Sequence, residues 1–237
     1  MKHSSLHILI ATATFALLAA TACDREHEKV VSTWEDGSPQ LVIKYRGGEQ
    51  HPIKTAETRF YHNGKTQYEK HYTGDKSTPD GTWSYYYDSG NIFATADFDK
   101  EHPYGSNWVF LDPTGNNFFS GSTDSIRVLE LSEYETPATV CFYHDSTQNL
   151  FQFYSTCVLR SQGKIINGQR EGQWQFFFAN GQPQTVATFI GGKEEGEYIV
   201  YHENGIPFYR GLYREGHRTG TWEVYDEEAN LVATQEY

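Results

Sequence analysis

The sequence predicts an all-β protein, an elongated antiparallel meander of repeated β-hairpins with a period of about 24 residues. The chain of 237 residues holds 15 Phe, 17 Tyr and 5 Trp, and large rings favour strands. It also holds 21 Gly, which is typical of a chain with many turns. The rings and the turn glycines recur at fixed distances from one another, which indicates stacked repeats rather than one irregular core.

Size and charge narrow the range of functions. A chain of 237 residues can bury a core without a metal or a disulfide. Its 31 acidic and 19 basic residues give a formal charge of −12. Because this charge repels phosphate backbones and anionic headgroups, we expect no nucleic-acid binding and no anionic-lipid binding by the folded domain.

The N-terminus has the features of a secretory signal peptide over residues 1–22. It carries a positive charge at Lys2 and an apolar run from Ile8 that is too short to span a bilayer. The segment ends in Ala20-Thr21-Ala22, directly before Cys23, and so resembles a bacterial lipoprotein signal. The resemblance implies that Cys23 is lipidated and becomes the new N-terminus. An ordinary signal peptidase would cut at the same place and release a soluble protein; by either route Lys2 is lost and the charge becomes −13.

The number of cysteines favours lipidation. The chain has three, and in an exported protein an odd count leaves one thiol unpaired or in other use. Lipidation of Cys23 leaves Cys141 and Cys157 as an even pair. The charged residues 23–29 are then predicted to form a tether. We therefore expect an exported, membrane-anchored lipoprotein that faces the periplasm or the cell exterior.

The repeat is clearest when each turn glycine is taken as a reference. The turn positions chosen in this way are Gly64, Gly90, Gly115, Gly181 and Gly205, and in the last unit Ala229 replaces the glycine. Seven residues before such a turn stand Trp83, Trp108, Trp174, Tyr198 and Trp222. Four residues before it stand Phe60, Tyr86, Phe177, Tyr201 and Tyr225. Eight residues after it stand Tyr72, Phe98, Phe189, Tyr213 and Tyr237.

Each unit reads as a β-hairpin. Asn-Gly pairs such as Asn180-Gly181 supply the positive φ that a tight hairpin turn requires. We expect the rings to serve mainly in packing, with those four before and eight after the turn buried between neighbouring hairpins. The turn residues vary in kind, which predicts a solvated rim that a partner could contact.

These motifs resemble the bacterial variant of the MORN repeat. Its pattern is Gly-x-Trp-x-x-Tyr, then Asn-Gly, then an aromatic residue, then Gly-Lys-x-x-Gly, and residues 192–196 match the last part. The resemblance covers residues 30–115 and 167–237. It implies a docking or spacing element without a cofactor or an enzymatic activity, in a group often described as antitoxin-like.

Residues 116–166 break the period and are predicted to form an irregular insert. One interpretation is a degenerate hairpin with Ser146 in the turn place. Cys141 and Cys157 would then flank it, 16 residues apart, and we expect a disulfide between them. Two buried thiols that never meet remain the alternative.

No pattern of catalytic or metal-binding residues stands out. Ser122 lacks the glycines of a nucleophile elbow, and the histidines show no spacing typical of zinc ligands. We therefore expect no catalytic residues, no metal and no cofactor. The favoured function is a membrane-tethered interaction module with an unidentified protein partner. The alternative is an envelope glycan- or choline-binding repeat protein, because residues 81–90 also look like a choline-binding wall repeat.

Overall fold

The computed structural model describes residues 25–48, 50–122, 125–133, 135–144 and 147–237. Throughout these residues the regular elements are antiparallel strands, which confirms the predicted all-β hairpin meander. The described part of the chain has no helix of the length and apolarity that crossing a membrane requires. The predicted signal peptide, residues 1–22, and the predicted lipidation site at Cys23 lie outside the described residues.

The first sheet follows chain order as β1-β2-β3-β4-β6-β7-β8-β9, and β5 pairs with β4 beside this path. Its strands are β1 Glu26–Thr33, β2 Pro39–Arg46, β3 Ile53–Phe60, β4 Thr66–Thr73, β5 Thr78–Pro79, β6 Gly81–Tyr86, β7 Ile92–Phe98, β8 Ser106–Leu111 and β9 Asn117–Gly121. The charged stretch predicted to be a tether is a strand from Glu26 onward, because Glu26 pairs with Arg46 of β2.

The second sheet also follows chain order, from β10 to β19. Its strands are β10 Ile126–Leu131, β11 Pro137–His144, β12 Thr147–Phe153, β13 Leu159–Ile166, β14 Gln169–Phe177, β15 Pro183–Ile190, β16 Lys193–Tyr201, β17 Pro207–Arg214, β18 His217–Tyr225 and β19 Leu231–Glu236. Successive strands of this sheet are separated by only two to five residues, as a meander requires.

The chain divides into two compact units, Met1–Ser106 and Asn107–Tyr237. This division lies at the start of β8 and coincides with neither predicted boundary of the insert. Residues 116–166 depart from the repeat in sequence and spacing, but their backbone forms β9 to β13. Four of these strands, β10 to β13, pair in order within the second sheet.

One kind of turn recurs along the whole described chain. In it the turn residue has a positive φ and donates its N–H to the carbonyl oxygen three residues earlier. At the hairpin ends that follow the repeat, the turn residues are Gly37, Gly64, Gly90, Gly115, Glu135, Cys157, Gly181, Gly205 and Ala229. The last four turn residues follow one another at intervals of 24 residues. The regular repeat of the second sheet therefore begins at the turn of Cys157, one unit before the first turn glycine, Gly181.

Candidate functional site

The rings seven residues before each turn form the most deeply buried row. Trp83, Trp108, Trp174 and Trp222 are all at least nine-tenths buried, and Tyr198 is half-buried. Trp174 forms a core cluster with Ala187 and Phe189. This row therefore holds neighbouring hairpins together and leaves little ring surface for a ligand.

The second sheet makes room for each tryptophan with a glycine on the preceding strand. A Cβ atom at Gly163 would lie 2.2 Å from the Trp174 ring, and a Cβ atom at Gly211 would lie 2.2 Å from the Trp222 ring. The equivalent residue between them is Ala187, and there the ring eleven residues later is the smaller Tyr198. A strand thus has glycine where the next strand has the larger tryptophan ring, and alanine where the next strand has the smaller tyrosine ring, as close packing requires.

Cationic side chains cover part of the same rings. The guanidinium of Arg170 lies 4.6 Å from the ring centre of Trp174, and that of Arg218 lies 4.7 Å from that of Trp222. Arg218 also donates a hydrogen bond to the Tyr237 hydroxyl at 2.7 Å. These cation–π contacts stabilise the rings in place, so this face serves packing rather than binding.

The rings four residues before each turn were predicted to be buried. This prediction is wrong for the five rings that the sequence singled out at this offset. Phe60, Tyr86, Phe177, Tyr201 and Tyr225 are all half-buried. They lie on the other face of their sheets, where the Tyr225 hydroxyl donates to Glu223 at 2.7 Å. These five rings are therefore partly exposed rather than buried between neighbouring hairpins.

The rings eight residues after each turn vary in burial. Phe98 and Phe189 are buried, Tyr72 and Tyr213 are half-buried, and Tyr237 is 49% exposed. Burial therefore decreases along the second sheet from Phe189 to Tyr237. The prediction that these rings pack between hairpins is confirmed for the first two and is wrong for Tyr237.

The predicted disulfide between Cys141 and Cys157 is not formed, although both residues are buried. Cys141 pairs with Leu150 in the middle of β12, whereas Cys157 lies beyond the end of that strand at Phe153. Three residues of strand correspond to about 10 Å, and a disulfide needs Cα atoms within about 7 Å. Ser146, the predicted turn residue, lies outside the described residues, but His144 and Thr147 on either side of it do pair. The error was to expect Cys157 opposite Cys141, because Cys157 occupies the turn that follows β12. Burial raises the pKa of the Cys141 thiol, which suits a packing residue.

A buried charged cluster lies in the first unit. Glu57 accepts hydrogen bonds from Lys54 and from the Tyr68 hydroxyl, and Lys70 lies 4.2 Å from the Tyr68 ring centre. Burial alone would raise the pKa of Glu57, but the hydrogen bonds from Lys54 and Tyr68 hold it below its ordinary value. A carboxylate held in its charged form by such partners stabilises the fold and is a poor general acid. Among the described residues no group of His, Cys, Asp and Glu could hold a metal ion.

The turns form a rim along each unit, and their side chains fasten one turn to the next. In the first unit, the Tyr61 hydroxyl donates to the carbonyl oxygen of Tyr86 at 2.7 Å. In the same way, the Asn63 amide donates to the carbonyl oxygen of Asp88 at 2.9 Å. Each donor lies about one repeat before its acceptor, so the rim is held in a fixed geometry.

The second unit repeats this arrangement near its C-terminal end. The His202 Nε2 atom lies 3.0 Å from the carbonyl oxygen of Tyr225. The Asn204 amide donates to the carbonyl oxygen of Glu227 at 3.0 Å. The predicted turn residues Gly64, Gly90, Gly181 and Gly205 all lie on these rims and are exposed.

A shallow pocket of about 580 Å³ opens on the rim of the second unit. The aromatic residues Phe178, Tyr201, His202 and Phe208 line it, together with Glu203, Asn204 and Glu227. The sequence predicted a binding rim here rather than a pocket. The pocket arises because Phe208 lies three residues after its turn, where the preceding unit has Gln184.

Four segments of the chain match the MORN repeat variant family: residues 56–73, 79–100, 170–190 and 194–215. The matches support a MORN-repeat protein. All four lie within the ranges predicted from the sequence, and together they cover about a third of the chain. The last MORN-variant segment contributes His202, Glu203 and Phe208 to the pocket.

The other comparisons add little. Among curated proteins none matches this chain. Among solved structures, one match is the structure of the Photorhabdus luminescens Tc holotoxin pore with the TccC3-D651A mutation, at 7% identity and a TM-score of 0.18. The match covers 88% of this chain and 16% of that one, so the chain spans about a sixth of its length. A likeness this weak carries no argument about function.

Proposed function

We propose that this protein is a membrane-anchored lipoprotein of the bacterial envelope and acts there as a non-catalytic MORN-repeat interaction module. MORN repeats are generally interaction modules, and the four matching segments support that role. The proposal rests on one observation: the rings and the turns of the repeats have different roles. The buried rings are occupied in packing, whereas the turns are exposed and held in place by bonds between repeats.

Export and anchoring rest on the N-terminal sequence. The apolar run, the small residues before Cys23 and the odd cysteine together favour lipidation. We expect Cys23→Ser to move the protein from the membrane fraction to the soluble fraction of the envelope. Mass spectrometry of the mature N-terminal peptide checks the modification directly, and an unmodified Cys23 peptide would contradict it.

Photocrosslinking in the native cell tests the interaction role. A photoreactive phenylalanine analogue is placed at the exposed rim positions Asp88, Ala179 and Glu203, one at a time. The control position is Lys193, which is exposed beside a turn at the opposite end of its strand. We expect the rim positions to capture one specific protein that Lys193 does not.

Two results would overturn the interaction role. One is an absence of any specific protein crosslink from all three rim positions at native expression. The other is binding of the purified chain to isolated cell wall with no crosslinked protein, which would favour the glycan-binding alternative.

A further inference from the structure

The rim pocket of the second unit combines flat apolar walls with negative charge. The rings of His202 and Phe208 lie 4.9 Å apart at an angle of 58°. Phe178 and Tyr201 complete the walls. The open face of an aromatic ring attracts a flat cation through both dispersion and cation–π interaction.

The pocket also has two carboxylates, those of Glu203 and Glu227. Within the part of the chain that the structure describes, neither Glu203 nor Glu227 forms a side-chain hydrogen bond or a salt bridge. Both glutamates are exposed, and each lies two residues before its turn residue: Glu203 before Gly205, and Glu227 before Ala229. The two charges therefore border the pocket from successive repeats.

The pocket is formed before any ligand arrives. The His202 Nε2 atom is within hydrogen-bond distance of the Tyr225 carbonyl oxygen, and the Asn204 amide holds the Glu227 carbonyl oxygen. These bonds fix the imidazole wall and the backbone that carries Glu227. A site with preset walls loses less conformational entropy when it binds.

We propose that this pocket binds an arginine side chain from a basic segment of a protein partner. The planar guanidinium stacks on the ring of Phe208, which is 42% exposed, next to His202, and donates hydrogen bonds to Glu203 and Glu227. The formal charge of −12 on the chain favours the approach of a basic segment. This inference rests on the interaction role proposed above and names the chemistry of the partner.

The preceding repeat offers an internal comparison. Twenty-four residues earlier, Ala179 stands in place of Glu203 and Gln184 stands in place of Phe208. That turn has the same backbone hydrogen bonds but lacks both the carboxylate and the ring. The chemistry that suits arginine therefore belongs to particular side chains and not to the repeat as such.

Binding of a labelled hexapeptide of alternating glycine and arginine to the purified full-length chain tests the proposal. The variant Glu203→Gln with Glu227→Gln keeps side-chain shape and removes both charges. We expect it to weaken binding at least tenfold, and we expect Phe208→Ala to weaken binding several-fold. The matched control, Glu197→Gln with Glu228→Gln, removes two exposed carboxylates outside the pocket, and we expect less than a twofold change.

A peptide with citrulline in place of arginine keeps the shape of the side chain without its charge, and we expect it not to bind. Equal binding of the citrulline peptide, or equal weakening by both double variants, would overturn the proposal. So would binding of phosphocholine in the pocket with no binding of the arginine peptide. Circular dichroism and the midpoint of thermal unfolding confirm that each variant is folded.

The two proposals fail separately. If crosslinking from Glu203 captures a protein but the arginine peptide does not bind, the interaction role stands and the arginine site is wrong. If the peptide binds but no rim position captures a protein in the cell, the pocket chemistry stands and the interaction role is wrong.

Discussion

The C-terminal hairpins and the segment 116–166 use the same turn with different residues. Gly181 and Gly205 hold the turn position in the hairpins, whereas Glu135 and Cys157 hold it in the segment. A side chain at positive φ costs about 1 kcal/mol or more, yet the turn persists. The backbone repeat thus continues through a region where the sequence motif has been lost.

The difference lies in what covers each sheet face. Within the second unit, Phe110 of β8 lies 6.2 Å from Phe153 of β12, ring centre to ring centre. The ring centres of Phe119 in β9 and Phe151 in β12 lie 4.5 Å apart. Phe153 is only 6% exposed as a result, whereas Tyr201, at the same offset from its turn, is half-buried. Burial at this offset depends on cover from another sheet and not on the repeat.

The largest expected effect contrasts these two rings. We expect Phe153→Ala to lower the free energy of unfolding by about 4 kcal/mol, because it removes a fully packed ring. Tyr201→Ala should cost about 1 kcal/mol, since that ring is already partly hydrated. Urea denaturation followed by tryptophan fluorescence measures both. Similar losses for the two variants would mean that the C-terminal face is covered after all.

The sequence predicted the hairpin meander because its rings and Asn-Gly turns recur at offsets that only stacked hairpins explain. It did not predict the turn at Cys157, because this segment was interpreted as one degenerate hairpin with its turn at Ser146. Counting back 24 residues from Gly181 reaches Cys157 and would have found it. The pocket could not be predicted in this way, since it depends on how Phe208 and His202 meet across one hairpin.

A second expected effect tests whether tryptophan packs in the same way in both regions. We expect Gly163→Ala and Gly211→Ala each to lower the free energy of unfolding by about 2 kcal/mol, because the new methyl group would overlap a buried indole ring. Gly48→Ala is the matched control, since its added methyl group meets nothing within 4 Å. A large loss at only one of the first two positions would show that the regions pack differently.

The smallest expected effect concerns the turns themselves. Glu135→Gly and Ala229→Gly should each raise the free energy of unfolding by about 0.5 to 1 kcal/mol, because glycine relieves the cost of positive φ. Ala233→Gly, within β19, should lower it instead. Thermal unfolding midpoints measure all three. A loss of stability in Glu135→Gly alone would mean that the turn at residue 135 is held by contacts of the glutamate side chain.

The bonds that link successive turns also set a spacing. Neighbouring strands lie about 4.8 Å apart, so turns two strands apart follow one another every 9.6 Å or so. A peptide in the polyproline II conformation advances about 3.1 Å per residue, with three residues per turn, and so covers that interval in about three residues with its side chains in register. A partner segment laid along the rim of residues 178–229 would therefore meet a new turn with every third side chain. Because the distance between successive turns is fixed, the affinity for a basic segment would depend on the spacing of its charges as well as on their number.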